Sequence, residues 1–288
     1  MNPKTKNLLN RTASGAVYVA LMIVGVLVPP MMVMLMCVVS IIGIFEFCKM
    51  TSGPVDRLSE GLMMLSAVIL AVASITQMPM VVSDITLPTI LMVVFFFLLL
   101  GYVAIMAVAE LFRRRPCPIE QIGKGVFGMF WIVLPLGLMA VLPCVSQPLA
   151  LAFLLLIWGC DTFAYLGGSI YGKHKMFERI SPKKTWEGTL TGVAMTIVMA
   201  LLLWTIPYFK YDNLLYGEAS LWIVFAILTA VFGIFGDLLE SLFKRNAGLK
   251  DSGNIMPGHG GVLDRFDSIL FAITPITIFL TYLFCLGL

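Results

Sequence analysis

Apolar runs about as long as a bilayer is thick recur nine times in this chain, at residues 12–28, 31–48, 59–78, 87–111, 123–143, 147–170, 188–208, 219–240 and 266–286. A helix crossing the hydrocarbon core needs about 20 apolar residues. The expected fold is therefore all-α: a polytopic membrane protein of about nine transmembrane helices. Composition agrees, since 12% of residues are charged and 60% hydrophobic, whereas a soluble domain carries roughly 25% charged residues. The breaks carry turn chemistry: Pro29-Pro30, Ser52-Gly53-Pro54, and Pro143 to Pro148. A single kinked or re-entrant element at Pro29-Pro30 would reduce the count to eight.

Charge constrains the threading. With nine spans, eighteen of the 19 Lys and Arg residues fall on one side, and Lys210 alone lies opposite. Cytoplasmic loops carry the excess of basic residues, which gives a cytoplasmic N-terminus and an external C-terminus. The basic start and first apolar run lack a small-residue cleavage site before the next span, so they read as a retained helix. Net charge is +3, and nothing in it calls for a nucleic-acid partner. The six cysteines show no Cys-x-x-Cys spacing and mostly fall in apolar runs, so they read as buried thiols. The two histidines, His174 and His259, argue against a multi-histidine metal centre. Glu46 and Glu110, each followed closely by Lys or Arg, read as interfacial acids at helix ends.

One polar stretch stands out, from Asp237 to Ser268. It packs five acidic residues, four basic residues and a histidine into 32 positions beside two apolar spans. Charge at membrane depth is costly and marks a functional site by default. Asp237, Ser241 and Lys244 are spaced four and three apart, as are Asp264 and Asp267 by three, so each set shares a helix face. A glycine-rich loop with Pro257, His259, Gly260 and Gly261 lies between them. Two aspartate faces joined by such a loop can converge on a hard cation such as Mg²⁺. Lys244, Arg245, Lys250 and Arg265 can hold phosphate charge. The bland alternative is a solvated loop with ordinary juxtamembrane basic residues.

A second polar segment starts inside the sixth span. Asp161 and Tyr165, four apart, share a face there. An acid so placed needs a cation, a proton or a polar cavity, or else makes a helix–helix hydrogen bond as a neutral group. The following loop carries Lys173, His174, Lys175, Arg179, Lys183 and Lys184. Ser181-Pro182 reads as a helix start, with Ser as N-cap and proline at the first position. Its free N–H groups, with Lys183 and Lys184, would suit an anion.

These residues resemble the phosphatidate cytidylyltransferases, or CDP-diacylglycerol synthases. The family signature appears as Ser241-Leu-Phe-Lys244-Arg245, Lys250-Asp251 and Pro257-Gly-His259-Gly260-Gly261-Val-Leu-Asp264-Arg265-Phe-Asp267. The upstream Asp161-Thr-Phe-Ala-Tyr165 helix and Ser181-Pro-Lys183-Lys184-Thr-Trp-Glu187-Gly188 loop resemble it too. Many members have a basic residue shortly after the tyrosine, where this chain has Gly167-Gly168-Ser169.

The resemblance implies a nucleotidyltransferase of phospholipid synthesis in the bacterial inner membrane, its site facing the cytoplasm. CTP and phosphatidate would be its substrates. The implied catalytic set is Asp161, Asp237, His259, Asp264 and Asp267. The four aspartates would hold Mg²⁺, with room for a second cation, and His259 would act as phosphate donor, proton relay or shaper of the turn. Lys183, Lys184, Ser241, Lys244, Arg245, Lys250, Gly260, Gly261 and Arg265 would bind substrate. Residues 1–115 would be a transmembrane scaffold with lipid or oligomer contacts, a homodimer included, and 116–288 would carry the site. Two other readings stay open: an ion- or proton-coupled transporter using Asp161 and Asp237, and a transferase acting on another lipid-linked phosphate.

Overall fold

The structure, a computed structural model, describes residues 3–51, 57–77, 86–113, 117–210, 215, 218–253, 255 and 260–285. Among the described residues the secondary structure is helical apart from one short hairpin. Among them, eight helices are long and apolar enough to cross a membrane, and a shorter apolar helix covers Thr12–Leu27. The protein is a polytopic membrane protein.

The chain forms two compact units, one of residues 1–145 with 246–266, the other of 146–245 with 267–288. The first holds α1 (Pro3–Leu27), α2 (Pro29–Met50), α3 (Arg57–Gln77), α4 (Thr86–Arg113), α5 (Pro118–Gly128) and α6 (Leu134–Val145). Pro29-Pro30 does separate two helices: Val28 leaves helical geometry at φ −126°, and the prolines open α2, where a missing N–H is harmless. Between α5 and α6, Met129–Val133 form a π-helical turn. It immediately precedes Leu134-Pro135, whose ring would press on the carbonyl four residues back in a regular helix; the wider turn relieves that clash. The three pieces run on as one apolar span, Pro118–Val145.

The core of this unit is aromatic where α2 meets that span. Trp131 lies 5.8 Å from Phe47 and 5.6 Å from Phe127, ring centre to ring centre. Tyr102 of α4 is buried and shares a 2.7 Å hydrogen bond with Ser59 of α3.

The second unit holds α7 (Gln147–Tyr171), the hairpin β1 (Lys175–Phe177) and β2 (Ser181–Thr185), α8 (Trp186–Thr205), the single turn α9 (Pro207–Lys210) and most of α10 (Ala219–Asn246) and α11 (Leu263–Cys285). Small residues let α7 and α8 approach closely. A β-carbon on Gly188 would stand 2.6 Å from the Ala164 carbonyl oxygen and 2.8 Å from Gly168 Cα; one on Gly192 would stand 2.9 Å from Ala164 Cβ. Lipid offers no hydrophobic drive between helices, so close backbone packing supplies the attraction. Cys160, Ala230, Ile234 and Leu238 form a buried apolar cluster joining α7 to α10.

The expected helix start at Ser181-Pro182 is not formed. Ser181–Thr185 instead pairs antiparallel with Lys175–Phe177, with Lys175 opposite Thr185 and Phe177 opposite Ser181. Pro182 is tolerated because both strands of a two-stranded ribbon are edges. The helix begins at Trp186, and Thr185 caps it by accepting from Gly188 N at 3.2 Å. The cysteine expectation also needs correcting: Cys160 is buried, Cys37, Cys48 and Cys144 are half-buried, and Cys117 is exposed. Glu46 and Glu110 lie near the ends of α2 and α4, as expected, and both are buried within the protein, at 1% and 7% exposed.

Candidate active site

In the second unit, α10 presents Asp237, Glu240, Ser241 and Lys244 along one length of helix. Asp237 is held at both oxygens. Lys184 of β2 places its ammonium 2.7 Å from Oδ2, and Ser241 donates to Oδ1 at 3.3 Å. The sequence spacing had put Ser241 and Asp237 on one face; the hairpin brings Lys184 to it. Arg245 donates from Nε to the Ile180 carbonyl at 3.3 Å, which ties the end of α10 to the hairpin. The base of the hairpin is braced by Glu187, which accepts from the backbone N–H groups of Lys173 and His174 and meets His174 Nδ1 at 2.5 Å.

Asp267, on α11, is half-buried and lies within electrostatic reach of Asp237, Glu240 and Asp161. Its Oδ1 accepts from the Ser268 backbone N–H at 2.7 Å. A β-carbon on Gly236 would stand 2.4 Å from the Asp267 carbonyl oxygen, so glycine there lets α10 and α11 touch beside the aspartates. Lys244 is buried and pairs with the buried Glu240 at 2.7 Å. Asp161 and Tyr165 are exposed on α7, and Lys183 is exposed on β2.

In the first unit, the loop before α11 is organised by carboxylates. Asp264 Oδ2 accepts from Ser252 N at 2.9 Å, Ser252 Oγ at 3.1 Å and Gly261 N at 2.8 Å. Gly260 has φ +86°, and a β-carbon there would stand 2.6 Å from Asp264 Oδ2; both facts require glycine. Lys250 and Asp251 are exposed, and Arg265 is half-buried, its carbonyl accepting from Tyr18 Oη at 3.2 Å. His259 lies outside the described residues.

Glu46 is the residue the sequence reading missed. From α2 it accepts from Val262 N at 3.0 Å, Leu263 N at 2.9 Å and Ser252 Oγ at 2.9 Å. A signal for it existed. Met36, Val39, Gly43, Glu46 and Met50 are all buried and recur every three or four residues along α2. An acid on that inward stripe must find donors inside the protein.

No group of three or more potential ligands stands close enough to hold a metal ion among the described residues. The chemistry of the donors nevertheless fits a hard divalent cation. Around α10 and α11 of the second unit, four acids (Asp161, Asp237, Glu240 and Asp267) are set against two lysines (Lys184 and Lys244). Oxygen donors with excess negative charge are what Mg²⁺ selects.

A model of the cytidylyltransferase family matches residues 9–283. The chain belongs to that family. It is 35% identical over 191 residues to the phosphatidate cytidylyltransferase of Rickettsia bellii, covering 66% of this chain and 81% of that protein. It is 37% identical over 157 residues to the protein of the same name from Rickettsia conorii, 54% of this chain and 67% of that one. A shorter match of higher identity is to the phosphatidate cytidylyltransferase of Staphylococcus aureus, 44% identical over 128 residues, 44% of this chain and 46% of that protein.

Proposed function

We infer that this protein is a phosphatidate cytidylyltransferase, transferring the cytidylyl group of CTP to phosphatidate. A phosphate oxygen of phosphatidate forms a bond to the α-phosphorus of CTP. The bond from that phosphorus to the bridging oxygen breaks, pyrophosphate leaves, and CDP-diacylglycerol remains in the membrane. The observation that carries this reading is the family match over residues 9–283.

Two anions must meet, so the protein's task is charge neutralisation and in-line positioning. Asp161, Asp237 and Asp267 are the proposed ligands of Mg²⁺, with Asp264 as a further ligand, directly or through water; a second cation would be held by the same carboxylates. When bound, Mg²⁺ supplies positive charge against the triphosphate. Lys184 already neutralises Asp237 and is the proposed hinge between carboxylates and phosphate. Lys183, exposed beside it, and Lys250 and Arg265 are proposed phosphate contacts. Ser241 orients Asp237, while Gly260 and Gly261 keep their proposed place as backbone contacts to substrate. Lys244 and Arg245 are proposed for the same phosphate, and each would have to give up its partner, Glu240 or the Ile180 carbonyl, to reach it. His259 keeps its proposed role as phosphate donor, proton relay or shaper of the turn.

The N-terminus is proposed to be cytoplasmic and the C-terminus external, in the bacterial inner membrane, because 18 of the 19 basic residues fall on one side of the threading. That side meets cytosolic nucleotide and leaflet lipid together. Residues 1–115 are the proposed scaffold, where a homodimer contact would lie, and 116–288 carry the proposed carboxylates and cations.

The test is an assay of the purified protein with each nucleoside triphosphate, phosphatidate and a divalent cation. Pyrophosphate and a CDP-lipid should form together, with CTP or dCTP, and only when all three components are present. Inorganic phosphate released from CTP without lipid product would overturn the assignment in favour of a hydrolase or a pump.

A further inference from the structure

We propose that Glu46 is a positioning residue for cytidylyl transfer: it fixes the first turn of α11 and, through Ser252, the orientation of the Asp264 carboxylate. The inference rests on the placement of Asp264 in the active site.

Glu46 is 1% exposed on an otherwise apolar stripe of α2. A buried carboxylate is costly unless hydrogen-bonded, and this one has three donors. Two are the N–H groups of Val262 and Leu263, at the start of α11. Such groups lack partners within their own helix, and a negative charge there is favoured by the helix dipole. The third donor, Ser252 Oγ, lies 2.9 Å from Glu46 Oε2 and 3.1 Å from Asp264 Oδ2. One hydroxyl, with a single proton to share, therefore stands between the two acids.

The fit leaves no slack. A β-carbon on Gly253 would stand 2.3 Å from Glu46 Oε1, one on Gly261 2.5 Å from Oε2, and one on Gly43 3.0 Å from Leu263 Cδ2. An acid on a scaffold helix thus sets where α11 begins and which way Asp264 faces.

The experiment uses the full chain purified in detergent, with Glu46→Gln, Ser252→Ala, Asp264→Asn and the pair Glu46→Gln with Asp264→Asn. The readouts are kcat, KM for CTP, the Mg²⁺ concentration for half-maximal rate, and Tm. Glu46→Gln keeps the size but turns an amide N–H₂ toward backbone donors. It should lower kcat at least ~10-fold, as loss of an outer-shell partner does, raise the Mg²⁺ requirement, and leave KM for CTP within about twofold. Ser252→Ala should raise the Mg²⁺ requirement in the same direction. In the Asp264→Asn background, Glu46→Gln should add less than about twofold, because residues acting as a unit are non-additive. The proposal is overturned if Glu46→Gln and Ser252→Ala keep normal kcat and Mg²⁺ dependence while Asp264→Asn is inactive. It is overturned equally if the Glu46→Gln loss follows the folded fraction alone, or multiplies in full on Asp264→Asn. Near-normal activity of Asp264→Asn would instead remove the placement of Asp264 itself, and the Glu46 inference with it.

Discussion

Asp237 and Lys244 lie two turns apart on α10, and the structure gives them different surroundings. Asp237 is half-buried, with Lys184 on one oxygen and Ser241 on the other. Asp237→Asn keeps the shape and removes the charge, and should reduce turnover by at least ~100-fold, as loss of one strong electrostatic group does, with Tm little changed. Lys244 is buried against Glu240, which is fully buried. Lys244→Ala takes the lysine away from that buried carboxylate, and breaking such a pair costs about 3–5 kcal/mol. Its first effect should be on thermal unfolding in detergent. Adding Glu240→Leu should recover Tm; if KM for CTP then stays high, Lys244 also serves phosphate. At this scale the sequence was informative where spacing is local. The Asp237–Ser241 contact follows from positions four apart on a helix. The Lys184–Asp237 pair and the reach of Glu46 to α11 depend on distant chain segments meeting, which no local period encodes.

Among the elements, the helices were legible because each is a long apolar run bounded by turn residues. The hairpin was not. Ser181-Pro182 carries a sound helix-start pattern, yet the pairing with Lys175–Phe177 and the cap at Thr185 displace the start to Trp186. The π turn before Pro135 was likewise hidden, because a proline inside an apolar run reads equally well as a kink. The α7–α8 contact depends on Gly188 and Gly192, one turn apart and facing Ala164 and Gly168. Gly188→Ala should destabilise the protein by about 1–3 kcal/mol, the usual cost of overpacking. Gly123→Ala on α5 is the control: a β-carbon there has no neighbour within 4 Å, and replacing glycine in a helix gains up to about 1 kcal/mol. Thermal unfolding of the two variants in one detergent should move in opposite directions. Equal shifts would mean that helix propensity, not close packing, governs both sites.

At the scale of the whole molecule, helix count and charge placement constrain each other. Among the described residues, eight long apolar helices and the shorter Thr12–Leu27 allow nine crossings, and only an odd count puts the two chain ends on opposite faces. Lys210 tests the threading best, because it is the one basic residue assigned to the external side. It ends α9 with its ammonium 5.3 Å from the centre of the Trp204 ring, and Tyr208 is exposed beside it. Aromatic rings and long cationic side chains together are what anchor a helix end at the bilayer surface. Lys183 and Lys250 are exposed and belong to the opposite face in this threading. Single cysteines at positions 183, 210 and 250, in a chain whose six native cysteines are replaced, can be treated with an impermeant thiol reagent in sealed inverted vesicles. Positions 183 and 250 should label without detergent and position 210 only after it. Labelling of 210 and 250 from the same side would show that the α10 segment between them does not cross. The cytoplasmic placement of the carboxylates and lysines on α10 and α11 would then lose its basis.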